Sequence, residues 1–385
     1  MKVLVEATPL ALQSYTKGGA YRYGLELLRH LPAAMPADWR LSLFFHFFRG
    51  RHLARMREAL RLTGIPEHEL CRWHPRLTRA LKWPVERLAG DHDLFHGPYD
   101  RLPPTRRAAG VVTVHDLAFL RSPEGLPRAW IDELTATVPP SVRRADRVVT
   151  VSEFTKQDLV ARIGVDPDKV HPIHHGIGPE LRPPADPEAD AGLLRSRYGL
   201  EPGYLLYLGT LQPNKNIEGL CAAYQLLRGR GFEAPLVLAG GPGWLFDPMW
   251  ARVVSRGHDR GVVRTGFVDD DDVPRLYGLC SAFALVSQLE GFGIPVIEAM
   301  ACGAPVVVAD ACSLPEVAGG AAILVDPGDP ESVAGGLERA ATAGPEQDAW
   351  RARGLARAAG FTWARSAEKH VEVYRLALSD ASDRR

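Results

Sequence analysis

The stretch from Ser287 to Gly303 reads SQLEGFGIPVIEAMACG. Two apolar runs bracket it, Ala284-Leu285-Val286 and Val306-Val307-Val308, and both predict buried strands. Glu290 falls in the connecting loop, and Gly291 and Gly293 flank Phe292. Pro295 suits the first turn of a helix, Glu298 lies about one turn further in, and Gly303 ends it. The unit is therefore a strand, a glycine loop and a helix N-terminus, with one carboxylate before the loop and one inside the helix. Backbone N–H groups and the helix dipole at such a point favour a phosphate. A carboxylate can accept from two vicinal hydroxyls at once. The pattern suits a phosphate held between two hydroxyl-rich groups. Strand-loop-helix units with a Gly and a Glu occur in any α/β protein, so spacing by itself leaves the function open.

Working outward, short apolar runs alternate with helical patterns along the whole chain. Residues 3–5, 41–47, 94–95, 111–114 and 148–151 predict one set of strands. Residues 204–208, 236–239, 262–263, 284–286, 306–308 and 323–325 predict a second. Amphipathic stretches such as 21–31 and 154–163 lie between them. Strands apolar on both faces, alternating with helices, indicate parallel α/β sheets, and two such sets predict two doubly wound, Rossmann-like domains. Residues 179–190, PELRPPADPEAD, hold four prolines and four acids with no apolar period and predict the linker. The expected organisation is an N-terminal domain over 1–180, a C-terminal domain over 191–360 and a terminal helix over 361–385, in which Trp363, Ala367, Val371 and Tyr374 recur at helical spacing.

Composition narrows the class. The chain has 385 residues, 46% hydrophobic and 24% charged, with 46 basic and 46 acidic side chains. A formal net charge of zero gives no reason to propose nucleic acid as a partner. No apolar run is long enough to span a bilayer, and the start MKVLVEATPL predicts a strand rather than a signal peptide. Five cysteines without a CxxC pair disfavour disulfides and zinc and favour a cytoplasmic setting.

Further motifs gather where predicted strands end. Gly18 and Gly19, in Lys17-Gly18-Gly19-Ala20-Tyr21-Arg22-Tyr23, open a helix after the first strand and allow close backbone approach to a ligand or simply a turn. Val111 to Val114 end in His115-Asp116, where a His can bond a sugar, move a proton or merely cap the strand. His96 closes another run and is a weaker candidate for acceptor contact, and Asp116 orients the loop or meets the acceptor. Thr210 and Lys215 lie in Gly209-Thr210-Leu211-Gln212-Pro213-Asn214-Lys215-Asn216, a loop with a Lys at a helix start, suited to a phosphate. Gly240, Gly241 and Gly243 end a strand but lack G-x-G-x-x-G spacing, which excludes a dinucleotide fingerprint. The run Asp269 to Asp272 reads as a helix N-cap rather than a metal site, and no metal is expected.

Taken together, Glu290 and Glu298 as E-x7-E with Gly-Phe-Gly after the first Glu, the Gly-Gly-x-x-Arg-Tyr loop, the strand-end His115, the Lys215 loop and the Phe-Thr-Trp helix resemble the retaining nucleotide-sugar glycosyltransferases of family 4, in the family's order. The resemblance implies the GT-B fold, two Rossmann-like domains facing across a cleft, with the last helix returning to the first domain. It implies transfer of a hexose from a nucleoside diphosphate sugar to an acceptor hydroxyl with retention. It assigns Glu298 to the ribose, and Glu290 with Gly291, Phe292 and Gly293 to the donor hexose and diphosphate. Lys215, Gly18 and Gly19 go to the leaving diphosphate, Val268 to the nucleobase edge and His115 to the transferring sugar. His115, Glu290 and Lys215 are the expected catalytic residues. Family members often carry an Arg near the start of the Lys loop; here Thr210 stands there, so one cation is missing.

The Gly-Thr-Leu-x-Pro-x-Lys-Asn loop is similar to that of bacterial mannosyl- and deoxyhexosyltransferases that build surface polysaccharide. The expected donor is GDP-mannose, then a UDP- or dTDP-sugar, and the acceptor is a glycan or lipid-linked hydroxyl. No other cofactor is expected. The competing readings are a GT-B sugar-nucleotide epimerase or hydrolase, and a non-catalytic partner subunit. Finally, the stretch from Arg49 to Arg87 carries ten Arg/Lys against four acids, with Trp73 and Trp83 interleaved. It reads as a solvated surface or as a patch for anionic lipid or a lipid-diphosphate acceptor, with peripheral association at the inner membrane face.

Overall fold

The computed structural model describes residues 1–12 and 18–384; Lys17 of the N-terminal glycine loop lies outside them. Its strands are β1 Lys2–Glu6, β2 Arg40–His46, β3 His68–Cys71, β4 Leu94–Gly97, β5 Ala109–Val114, β6 Arg147–Thr150 and β7 Val170–Pro172. These form one parallel sheet in the order β3-β2-β1-β4-β5-β6-β7. The second set is β8 Leu205–Leu208, β9 Leu236–Ala239, β10 Val262–Gly266, β11 Ala282–Leu285, β12 Val306–Ala309 and β13 Ile323–Val325. It forms a parallel sheet in the order β10-β9-β8-β11-β12-β13. In both, strand order reverses once, between β1 and β4 and between β8 and β11. Ligands of open α/β sheets gather at the carboxyl ends of strands at such a point.

The central strands β4, β5, β9, β11 and β12 are buried at every position, which is why they are continuous apolar runs rather than alternating ones. Two strands, β3 and β7, escape the apolar pattern. Both are sheet edges of four and three residues, HELC and VHP, and an edge strand tolerates polar residues and Pro172.

The chain divides into two compact units. Unit 1 comprises Met1–Leu120, Ala129–Gly176 and Thr362–Arg385; unit 2 comprises Arg121–Arg128 and Ile177–Phe361. The partition therefore departs from the linear one in a short excursion, Arg121–Arg128, and in the earlier passage to unit 2 at Ile177. Within unit 2, Trp244 Nε1 donates to Gly125 O at 2.6 Å and holds that excursion.

The final helix, Trp363–Asp383, belongs to unit 1 and packs against the helix Gly19–Ala34 and the sheet. Trp363, Ala367, Val371, Tyr374 and Ala377 share a core with Tyr23, Leu27 and Leu31. Thr362 caps the helix by accepting from Arg365 N at 3.2 Å, and Arg147 grips Asp380 at 2.7 and 3.0 Å. Gly176 passes so close that a Cβ there would meet Trp363 N at 2.1 Å.

Two expectations are corrected. The proline-rich run 179–190 does not continue as linker: Asp186 accepts from Ala189 N at 3.0 Å and starts the helix Pro187–Tyr198. Pro187 sits at the first turn, where its missing N–H costs nothing. The acidic run does end at the N-cap position of the helix Val273–Leu279, but Asp272 there makes no side-chain cap bond. Its carboxylate is fully buried and accepts from Arg197 Nη1 at 2.8 Å, Tyr198 OH at 2.8 Å and Arg275 Nη1 at 2.9 Å. Burial would raise its pKa, but these donors outweigh burial and hold the carboxyl below its ordinary range.

Candidate functional site

In unit 2 the loops after β8 and β11 meet at the reversal of strand order. The first loop runs from Gly209 through a short helical turn, Pro213–Lys215, to the helix Ile217–Gly229. Asn216 adopts a left-handed backbone with φ 55°, and its Nδ2 donates to Val286 O at 3.1 Å and Pro327 O at 2.8 Å. Gln288 N donates to Asn214 O at 3.2 Å, so backbone bonds join the two loops directly. On this frame Lys215 Nζ lies 2.7 Å from Glu290 Oε1, and Ser287 Oγ donates to the same oxygen at 2.8 Å. Both partners of the ion pair are mostly buried, with side chains 20% and 12% exposed.

The glycine loop is built by backbone geometry. Gly293 has φ 93°, where side chains are rare, and a Cβ there would meet Leu314 Cδ2 at 2.7 Å. Ser313 Oγ ties the loop down, donating to Glu290 O at 2.9 Å and reaching Phe292 O at 3.2 Å. Gly293 precedes the helix Ile294–Ala301, with Pro295 in its first turn. Within that helix Glu298 is 2% exposed, and Tyr277 OH donates to its Oε2 at 3.0 Å.

The neighbouring strand end is equally tight. At Gly240 a Cβ would meet Gly209 O at 2.0 Å, so the ends of β8 and β9 approach only because this residue is glycine. Thr210 O accepts from Tyr207 OH at 3.0 Å. Two buried side-chain oxygens in the same loop, Gln212 Oε1 and Asn214 Oδ1, have no hydrogen-bond partner among the described residues. Unsatisfied buried acceptors are costly and uncommon, and hydroxyls of a ligand would satisfy them. Val268 lies 7% exposed beyond β10, the edge strand, next to Phe267, which is 61% exposed.

In unit 1 the corresponding strand ends carry histidine and tyrosine. Gly18 precedes the helix Gly19–Ala34 in extended backbone and its carbonyl accepts from Arg22 N at 3.0 Å. Gly18 and Gly19 therefore stand at a helix N-terminus. His115 follows β5: its N–H donates to Asp100 Oδ1 at 2.8 Å and its Nε2 lies 2.9 Å from Pro98 O. A carbonyl only accepts, so Nε2 is the donor of this bond. Tyr23 meets the ring edge-on at 4.9 Å, and His175 stacks on it at 6.2 Å. Asp100 has φ 58° and burial pushes its carboxyl up to about 6. Asp116 Oδ1 accepts from Ala118 N at 2.8 Å and so orients the loop.

His96 is not available to an acceptor. It is fully buried, with Nδ1 2.7 Å from Tyr374 OH and Nε2 2.8 Å from Thr113 Oγ1. Thr113 Oγ1 also meets Tyr23 OH at 2.8 Å, and Tyr23 OH meets His370 Nε2 at 2.9 Å. A histidine closing a strand looks the same in sequence whether it faces ligand or core; only the packing of the last helix separates His96 from His115.

The structure thus brings Lys215 and Glu290 together and sets the glycine loop beside them, with Glu298 in the helix that follows the loop and Val268 beyond β10. Gly18, Gly19 and His115 belong to unit 1. Ser287, Asn216, Ser313, Tyr277 and Asp100 take part without having been singled out; Ser287 bonds Glu290 three residues on, and the other four act through hydrogen bonds to distant segments that no local pattern announces.

Comparison with known proteins agrees. Residues 17–181 match the model described as Glycosyltransferase Family 4, and residues 195–357 match Glycosyl transferases group 1. The O-antigen chain mannosyltransferase B of Escherichia coli is 32% identical over 400 residues, covering 98% of this chain and 100% of that protein. The serotype-specific mannosyltransferase WbdA of Escherichia coli is 31% identical over 247 residues, 62% of this chain but 30% of that much longer protein. Among solved structures, Anabaena Alr3699/HepE in complex with UDP and glucose has a TM-score of 0.73 at 21% identity, over 97% of this chain and 98% of that one. The sucrose-phosphate synthase of Thermosynechococcus elongatus has a TM-score of 0.74 at 19% identity, over 99% and 100%. With its two parallel doubly wound sheets and this likeness over nearly its full length, the chain belongs to glycosyltransferase family 4 and has the GT-B fold.

Proposed function

We propose that this glycosyltransferase moves a mannosyl unit, with retention, from a nucleoside diphosphate mannose to a hydroxyl of a growing surface glycan or its lipid-linked precursor. GDP-mannose is the favoured donor, ahead of UDP- or dTDP-sugars. The supporting observation is the Lys215–Glu290 ion pair at the reversal of strand order, beside a glycine loop and two unsatisfied buried acceptors. The likeness to mannosyltransferases supports the choice of sugar.

An arriving diphosphate competes with Glu290 for Lys215 Nζ. Lys215 then neutralises the leaving phosphate, and Glu290, still held by Ser287, turns to hydroxyls of the donor sugar. Amides of Gly291, Phe292 and Gly293 take the phosphate and hexose side. Glu298, oriented by Tyr277, takes the ribose hydroxyls, and Val268 the base edge. Gly18 and Gly19 add a second helix N-terminus for the diphosphate, and His115 contacts the transferring sugar through Nδ1. The acceptor oxygen forms the new bond to the anomeric carbon as the bond from that carbon to the phosphate oxygen breaks. The acceptor's proton passes to the departing phosphate. We place the reaction in the cytoplasm at the inner face of the membrane. Supporting this setting, no disulfide occurs among the described residues.

A thermal-shift panel of GDP-, UDP- and dTDP-sugars tests the donor. GDP-mannose is expected to raise the melting temperature most; a larger shift with another sugar nucleotide replaces it as donor. Proton NMR of the glycoside product tests retention, and an inverted anomeric centre would refute it. Donor hydrolysis or epimerisation at the same rate without acceptor would sink the transferase reading.

A further inference from the structure

Outside the candidate site, unit 1 carries a surface that the donor chemistry does not use. Four large apolar side chains stand in solvent there: Phe48 at 56%, Trp73 at 57%, Leu77 at 45% and Leu81 at 52% exposed. They are neighbours. Phe48 packs against His74 at 5.8 Å, and Arg72 Nη2 donates to Phe48 O at 3.1 Å. Trp73 meets Trp83 edge-on at 5.5 Å, and the Arg87 guanidinium lies 4.0 Å over Trp83. Leu77 and Leu81 are one turn apart at the end of the short helix Pro75–Ala80, where Leu81 N donates to Leu77 O at 3.0 Å. The result is an apolar ridge that rises from the fold instead of packing into it.

The charge around this ridge is mainly positive. Arg72, Arg76 and Lys82 are exposed beside it, and no acid occurs between Leu70 and Val85. The nearest acids are already engaged. Glu69 binds Lys2 at 2.7 Å, Glu133 binds Arg101 at 2.6 Å and Arg79 of the ridge helix at 3.4 Å, and Glu86 accepts the backbone N–H groups of Arg106, Arg107 and Ala108. A tryptophan and two leucines at the tip of a cationic shoulder match the interface of an anionic bilayer, where apolar side chains enter the acyl boundary and cations meet the headgroups. Among the described residues no helix is long and apolar enough to cross a membrane, so attachment would be to the surface. A second protein of ordinary surface composition would gain little from a ridge flanked by the exposed cations Arg72, Arg76 and Lys82.

We infer that the ridge Phe48–Trp73–Leu77–Leu81, with Arg72, Arg76 and Lys82, is a docking surface for an anionic lipid bilayer. It deepens the reading of a lipid-borne acceptor by naming the surface that meets the membrane. Its test needs neither donor nor acceptor, so the two readings fail separately.

The experiment is co-sedimentation of the full chain with phosphatidylcholine vesicles and with phosphatidylcholine–phosphatidylglycerol vesicles, at low and at high salt. Binding is expected to anionic vesicles at low salt, with at least a tenfold loss at high salt or on neutral vesicles. One variant carries Trp73→Ser, Leu77→Ser and Leu81→Ser; another carries Arg72→Glu, Arg76→Glu and Lys82→Glu. Each is expected to bind anionic vesicles at least tenfold more weakly while keeping the wild-type melting temperature and nucleotide-sugar shift. The altered side chains are exposed, so folding is not at stake. A wild-type protein that stays in the supernatant at low salt overturns the proposal. So do variants that bind as well as wild type, or a wild-type homodimer that the serine variant dissolves without vesicles present.

Discussion

Two buried regions, one in each unit, hold their polar groups in opposite ways. Unit 1 threads a neutral chain through its core: Tyr374, His96, Thr113, Tyr23 and His370 hydrogen-bond in sequence, all fully buried. The glycine-loop region of unit 2 holds an ion pair instead, Lys215 with Glu290, both mostly buried. A neutral network gives direction and register at small electrostatic cost, and here it fastens the final helix to the sheet. A buried ion pair needs its partner, and a charged ligand can take that partner's place. Where a charged group lies beside a glycine loop, the fold is prepared for exchange with ligand. Where neutral groups lie under a helix, it is prepared for staying closed.

The largest expected effect breaks the ion pair. Lys215→Ala should lower turnover by about a hundredfold or more, the scale for removing one electrostatic contact to a leaving group. If kcat survives while only KM rises, Lys215 serves binding alone. Next, Glu298→Ala should weaken nucleotide-sugar binding by about 2 kcal/mol, the scale of a hydrogen bond to a charged group. Calorimetric titration showing unchanged donor affinity would remove Glu298 from the ribose.

A smaller effect is expected in unit 1. Tyr23→Phe keeps the ring but leaves Thr113 and His370 short of a partner, and should cost about 1–2 kcal/mol in urea unfolding with donor affinity unaltered. The same network should sense acid. Burial holds His370 down at about 4 and lowers His96 and His175 well below the ordinary value. The unfolded chain then takes up these protons first, so stability falls as pH drops from 6.5 toward 4. Peptide-resolved hydrogen exchange should show the helix Trp363–Asp383 losing protection in that window ahead of β11 and β12. Simultaneous loss in both units would erase the contrast.

A further effect concerns Asp100, a carboxylate of unit 1. Its folded pKa lies near 6, above the ordinary 3.8, so the folded state holds the proton more tightly and loses stability as pH rises from about 4 to 6. Asp100→Asn keeps the acceptor for His115 N–H and suits the left-handed backbone. It should stabilise by roughly 1–3 kcal/mol at pH 7.5 and by much less at pH 4, because only the ionised form is removed. Equal melting curves at both pH values would show that Asp100 is already well solvated.

Much of the fold is legible in the amino-acid sequence alone. The central strands are buried on both faces, and such runs have no other stable home, so residues 111–114, 236–239 and 306–308 announced parallel sheets by themselves. Glycine and proline marked the loop at Gly291–Gly293 because few other residues tolerate that backbone. Local pattern, however, records only what a residue needs of its neighbours in sequence. It missed β3 and β7, whose edge positions ask little of their side chains, and it could not tell the buried His96 from the part-exposed His115. Nor could it pair Lys215 with Glu290, place the exposed Trp73 beside Trp83, or exchange an expected helix cap at Asp272 for an ion pair with Arg197. Those outcomes depend on which segments the sheets bring together, and contacts across tens or hundreds of residues are decided by packing alone.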